Sequence, residues 1–159
     1  MAASGAYYTG IDVTARHLEL TQMNFDQHKL QCSLVQDDLA TRTIGAWAGA
    51  FDVIYSFGVL HHIAHEKEIL RAAHSCLADD GTLRIAVYSK FSAFNAFLLV
   101  TWLLRNRCRV PLVAWQSHCA ELSKLDSPVV IKIRSKREVV AILKDAGFRV
   151  VKYQKCGFV

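Results

Sequence analysis

The chain is 159 residues long, the length of one domain, and its 52% hydrophobic content excludes an intrinsically disordered protein. Eight glycines and two prolines form no linker or low-complexity tract, so a single domain over residues 1–159 is the simplest organisation. The net charge of +5 admits acidic substrates, nucleic acid or an anionic membrane surface without selecting among them.

In chain order, "AYYTGID" (Ala6 to Asp12) is a short β-prone run ending in an acid. Thr14 then stands as a helix N-cap, with Ala15, Leu18, Gln22 and Phe25 near one helical face. "LQCSLVQDD" (Leu30 to Asp38) is a second strand ending in acid. "FDVIYS" (Phe51 to Ser56) has the apolar character of a strand buried on both faces. After His61 and His62, the segment "HEKEILRAAHSCL" spaces Ile69, Ala72, Ala73, Cys76 and Leu77 as a helix, and Asp79, Asp80 and Gly81 mark a turn. "TLRIAVYS" (Thr82 to Ser89) is a fourth strand.

Residues 90–132 break this alternation: Phe91, Phe94, Phe97 and Trp102 fall at helical spacing, followed by three arginines, Pro111 and Trp115. The expectation is an inserted helical cap or lid, with a membrane-surface contact through residues 91–115 as its rival. The apolar stretch Phe91 to Leu104 falls short of the roughly 20 residues that span a bilayer. Beyond it, Ser135 and Glu138 form a capping box, Val139, Val140, Ile142 and Leu143 supply an apolar face, and Gly147 stops the helix. A fifth strand is expected from Phe148 to Gln154.

Strands alternating with helices imply an α/β fold with a mostly parallel sheet. The strand ends then present Asp12, Asp38, the turn from Ser56 to His62, and Tyr88 with Ser89 at the edge where such sheets bind ligands. His61 and His65 are four residues apart but lack a third ligand at recognisable spacing, so no metal site is expected. Five cysteines without a C-x-x-C pair and an N-terminus without a signal core point to a reducing, cytoplasmic setting. The basic excess, carried by residues such as Arg105, Lys132, Arg134 and Arg137, has no nucleic-acid-binding motif beside it. Its plain reading is a solvated face, and nucleic acid is not an expected partner.

Taken in order, "YTGIDVT", "LVQDDLA", "FDVIYSFGVLHHI", "LADDGTLRIAVYSK" and "SKREVVAILKDAGF" resemble the successive motifs of class I S-adenosylmethionine-dependent methyltransferases, in the type 11 or type 12 group. The resemblance implies a Rossmann-like sheet, S-adenosylmethionine as cofactor, and methyl transfer to an acceptor it does not identify. It assigns Asp12 to the ribose hydroxyls, Asp38 to the adenine amino group, and the Leu39 backbone to the adjacent ring nitrogen. Ser56, Phe57 and Gly58 line the cofactor, and His61 and His62 face the methyl-transfer centre or brace it. The aromatic insertion favours a small apolar or amphipathic acceptor. A histidine suits the base that an acceptor proton would require.

The family's first strand and glycine-rich loop, however, have no counterpart here, and little sequence follows Gln154 for a last antiparallel strand. The expectation is a partial domain with a gap in its sheet, because the absent strand would lie between the second and fourth of the family's order. A partner chain supplying that strand, or a catalytically inactive domain serving in binding or regulation, follows as the alternative.

Overall fold

The computed structural model describes residues 2–39, 47–105 and 132–155. They belong to two compact units, Met1–Ile44 and Gly45–Val159. In the first, β1 (Thr9–Asp12) and β2 (Ser33–Gln36) pair in parallel, in register from Thr9 opposite Ser33 to Asp12 opposite Gln36. Parallel neighbours need a long connection. Helix α1 (Ala15–Gln27) provides it and lies against both strands. Phe25 and Tyr8 meet with ring centroids 4.8 Å apart. None of the described residues of this unit is fully buried.

The second unit repeats the arrangement with β3 (Phe51–Phe57), α2 (Glu66–Cys76) and β4 (Leu77–Ala86), again parallel. Between the pairs Phe51–Leu77 and Val53–Thr82 the register shifts, so the expected Asp79–Gly81 turn is taken up as an irregularity inside β4. A Cβ on Gly81 would stand 2.8 Å from the Ala78 carbonyl, which only glycine avoids. Helix α3 (Ala93–Arg105) occupies the start of the expected insertion; Trp102 is buried, while Phe91 and Phe97 are exposed. No helix among the described residues is long and apolar enough to cross a membrane. The remainder of the insertion, with Pro111 and Trp115, lies outside the described residues.

Helix α4 (Lys136–Asp145) starts where the capping box was expected: the Ser135 hydroxyl accepts from the Glu138 N–H, and the Glu138 carboxylate accepts from the Ser135 N–H at 2.7 Å. It ends at Gly147, whose φ of +95° is a left-handed stop. Leu70 of α2 and Val139, Leu143 and Ala146 from the α4 region form the buried core with Leu60. Beyond α4, the expected strand from Phe148 to Gln154 does not form. Phe148 and Val150 pack against the core, as apolar alternation requires, but among the described residues no strand pairs with their backbone.

Among the described residues, β1 and β2 pair only with each other, as do β3 and β4. Each unit thus carries one parallel pair among its described residues.

Candidate functional site

Asp12 closes β1, and its carboxylate shapes the turn into α1. One oxygen accepts the Thr14 N–H at 2.7 Å, and the other lies 3.3 Å from His17 Nδ1. The Thr14 side chain, expected to cap α1, makes no capping hydrogen bond. The aspartate two residues earlier holds the Thr14 amide instead, in an Asx turn. A carboxylate has about four acceptor sites, so Asp12 retains capacity for further hydroxyl donors. The Asp12 carbonyl accepts from the Asp37 N–H, and the Asp37 carboxylate from the Asp38 N–H at 2.8 Å. Asp38 and Leu39 therefore follow β2 beside the end of β1, with Asp38 exposed.

In the second unit, β3 carries Ser56 half-buried and Phe57 exposed, then turns at Gly58. The φ of +74° there is a left-handed conformation suited to glycine, and nothing lies within 4 Å of the position a Cβ would occupy. The Gly58 N–H donates to the Ala86 carbonyl, fixing the turn to the end of β4. A 3₁₀ turn, Leu60–His62, follows, and Leu60 anchors it in the core.

That anchor draws His61 inside. His61 is only 1% exposed, and neither ring nitrogen has a hydrogen-bond partner. Its ring lies against those of His62 and Tyr88, with centroids 4.1 and 4.2 Å away. Burial, and secondarily the charge of His62, lowers its pKa to about 4. His61 is therefore neutral at physiological pH. His62 sits outside it, half-buried and edge-on to Tyr88.

Beside this turn stands a buried ion-pair cluster. Glu66, at the first position of α2, is buried with its carboxylate gripped by both terminal nitrogens of Arg134. Lys132 Nζ stands 3.4 Å from the same carboxylate. Burial alone would raise the Glu66 pKa, but the hydrogen bonds and charges of Arg134 and Lys132 outweigh it and hold the pKa below its ordinary value. Lys132 and Arg134 thus depart from the solvated face expected of them, although Lys136 and Arg137 are exposed. No group of three His, Cys, Asp or Glu among the described residues could hold a metal ion.

The chain has counterparts among known proteins. A methyltransferase domain model matches residues 1–83, just over half of the chain. The chain belongs to the methyltransferase domain family. A curated relative of this family, the ubiquinone biosynthesis O-methyltransferase of Actinobacillus pleuropneumoniae, is 28% identical over 103 residues, covering 63% of this chain and 43% of its own. The chain thus spans less than half the length of that relative.

The methyltransferase fold is shared with solved structures. The Burkholderia thailandensis 1,6-didemethyltoxoflavin-N1-methyltransferase, solved with 1,6-didemethyltoxoflavin and S-adenosylhomocysteine bound, superposes with a TM-score of 0.59. It is 16% identical, over 94% of this chain and 54% of that one. A SAM-dependent methyltransferase of Thermotoga maritima gives 0.60 at 12% identity, over 90% and 55% of the two chains.

Proposed function

We propose that this chain carries the cofactor-holding and acceptor-facing elements of an S-adenosylmethionine-dependent methyltransferase that acts on a hydroxyl of an apolar or amphipathic acceptor in the cytoplasm. The observation that carries this reading is the placing of Asp12 and Asp38 at the carboxyl ends of two adjacent parallel strands. Ligands of open α/β sheets bind at that edge. The spare acceptor capacity of Asp12 fits a ribose diol, and the unobstructed left-handed turn at Gly58 fits close passage of a cofactor. The oxygen acceptor is taken from the O-methyltransferase activity named for the curated relative.

The cofactor supplies an electrophilic methyl group on a sulfonium. Asp12, Asp38 and the Leu39 backbone would hold its nucleoside, while Ser56, Phe57 and Gly58 would line its path. His62 would take the proton released by the acceptor hydroxyl as the new oxygen–carbon bond forms. His61 is a poor base at a pKa of about 4 and would brace its neighbour. Positioning dominates such an in-line displacement, because aligning the acceptor with the methyl removes most of the entropic barrier.

Labelled methyl transfer to a panel of phenols and aliphatic alcohols tests this reading. The expected result is a labelled ether product that His62→Ala reduces roughly a hundredfold, the usual scale of a lost general base. No product from any acceptor would favour a non-enzymatic binding domain. A separate observation points that way: Tyr55 and Phe57 stack on the exposed face of β3, 61% and 67% accessible, as a contact surface would require.

A further inference from the structure

Lys132 and Arg134 hold both sides of the His61–Tyr88 ring contact. The Lys132 N–H donates to the His61 carbonyl at 2.9 Å, and its Nζ donates to the carbonyls of Ile63 and Ala64, each at 2.9 Å. The Arg134 N–H donates to the Tyr88 carbonyl at 3.4 Å, and the Arg134 carbonyl accepts from the Lys90 N–H at 2.8 Å. Arg134 thereby forms a parallel bridge with Ser89 just past the end of β4. Both side chains converge on Glu66. One short segment therefore ties the histidine turn, the first turn of α2 and the end of β4 to a single buried carboxylate.

Stability alone is a poor reason for such a group. Removing three charges from water carries a desolvation cost that their pairing roughly offsets, and apolar side chains of similar volume often stabilise as well or better. What apolar replacements lack is direction. A guanidinium fork accepts a carboxylate in one plane, and an ammonium shared by two carbonyls fixes the turn that carries them.

We propose that Lys132 and Arg134, anchored on Glu66, are positioning residues that hold the His61 and Tyr88 rings in contact and so set the placement of His62. The relevance to methyl transfer rests on the function proposed above; the positioning itself does not. Among the described residues, His62, Tyr88 and the Lys132 backbone meet His61 in this arrangement.

Histidine-ring NMR of the whole chain, followed from neutral to acidic pH, tests the proposal on the natural sequence and on Lys132→Met and Arg134→Lys. Lys132→Met leaves the Glu66–Arg134 fork in place, whereas Arg134→Lys keeps the charge and removes the fork. In both, the His61 titration midpoint is expected to rise from about 4 by roughly one unit or more as water reaches the ring, with a smaller ring-current shift from Tyr88. A folded Lys132→Met chain with midpoint and ring-current shift unchanged would overturn the proposal. So would a Lys132→Met chain that is unfolded at neutral pH, because the lysine would then serve the fold as a whole. Labelled methyl transfer on the same samples separates the two claims: absent transfer with altered His61 signals removes the enzymatic reading and leaves the positioning role standing.

Discussion

The His61 imidazole lies 4.2 Å from the Tyr88 ring, centroid to centroid, with both of its nitrogens unpaired. Protonating it in place would bury a charge without a partner, so folding favours the neutral form. With the folded pKa near 4 and the ordinary value at 6.5, the unfolded chain binds the extra proton first as pH falls. Stability is therefore expected to fall by roughly 3 kcal/mol between pH 7 and pH 4, measured by urea unfolding. His61→Phe should flatten that decline without loss at pH 7, because an apolar ring leaves no unsatisfied nitrogen.

Glu66 should respond differently. Its pKa is depressed, so the stability it contributes is present above the ordinary carboxylate range and is lost as pH falls through the lower folded value. Glu66→Gln leaves Arg134 and Lys132 facing a neutral group. A loss of about 3 kcal/mol is expected in chemical unfolding at pH 7, the scale of breaking a buried ion pair from one side. Replacing Glu66 and Arg134 together by methionine should recover much of it.

Gly58→Ala forces a side chain into a left-handed turn with φ of +74°. Space is not the obstacle, since nothing lies within 4 Å of the added carbon. Backbone strain should cost about 1–2 kcal/mol, read as a lowered unfolding midpoint with an unchanged denaturant slope.

Local stability should also differ between the two units. Amides of β1 and β2, where no described residue is fully buried, are expected to exchange hydrogen faster than those of α2 around Leu70, which lies in the core. Comparable protection would contradict this.

Features set by neighbouring residues were legible in the sequence. Ser135 and Glu138 marked the start of α4 through a three-residue pattern, Gly147 marked its end, and apolar runs marked β1, β2 and β3. The expected parallel pairing is also present. Phe148 to Gln154 misled because apolar alternation records burial, while a strand also needs a neighbour to pair with its backbone. The clamp on Glu66 was illegible for a different reason: 68 residues separate it from Arg134, and no local pattern announces a contact made by folding. His61 and His62 are alike in the sequence; the fold buries the first and leaves the second half-buried.

The claim that Asp12, Asp38 and the Gly58 turn hold S-adenosylmethionine is tested most directly by titrating the cofactor into the labelled chain and following backbone amides by NMR. Saturable shifts are expected at Val13 and Thr14, at Asp38 and Leu39, and at Phe57 and Gly58. Asp12→Asn should weaken them by at least about tenfold, the scale of a lost charged hydrogen bond. Absence of saturable shifts at millimolar cofactor, or shifts that Asp12→Asn leaves unchanged, would contradict the claim.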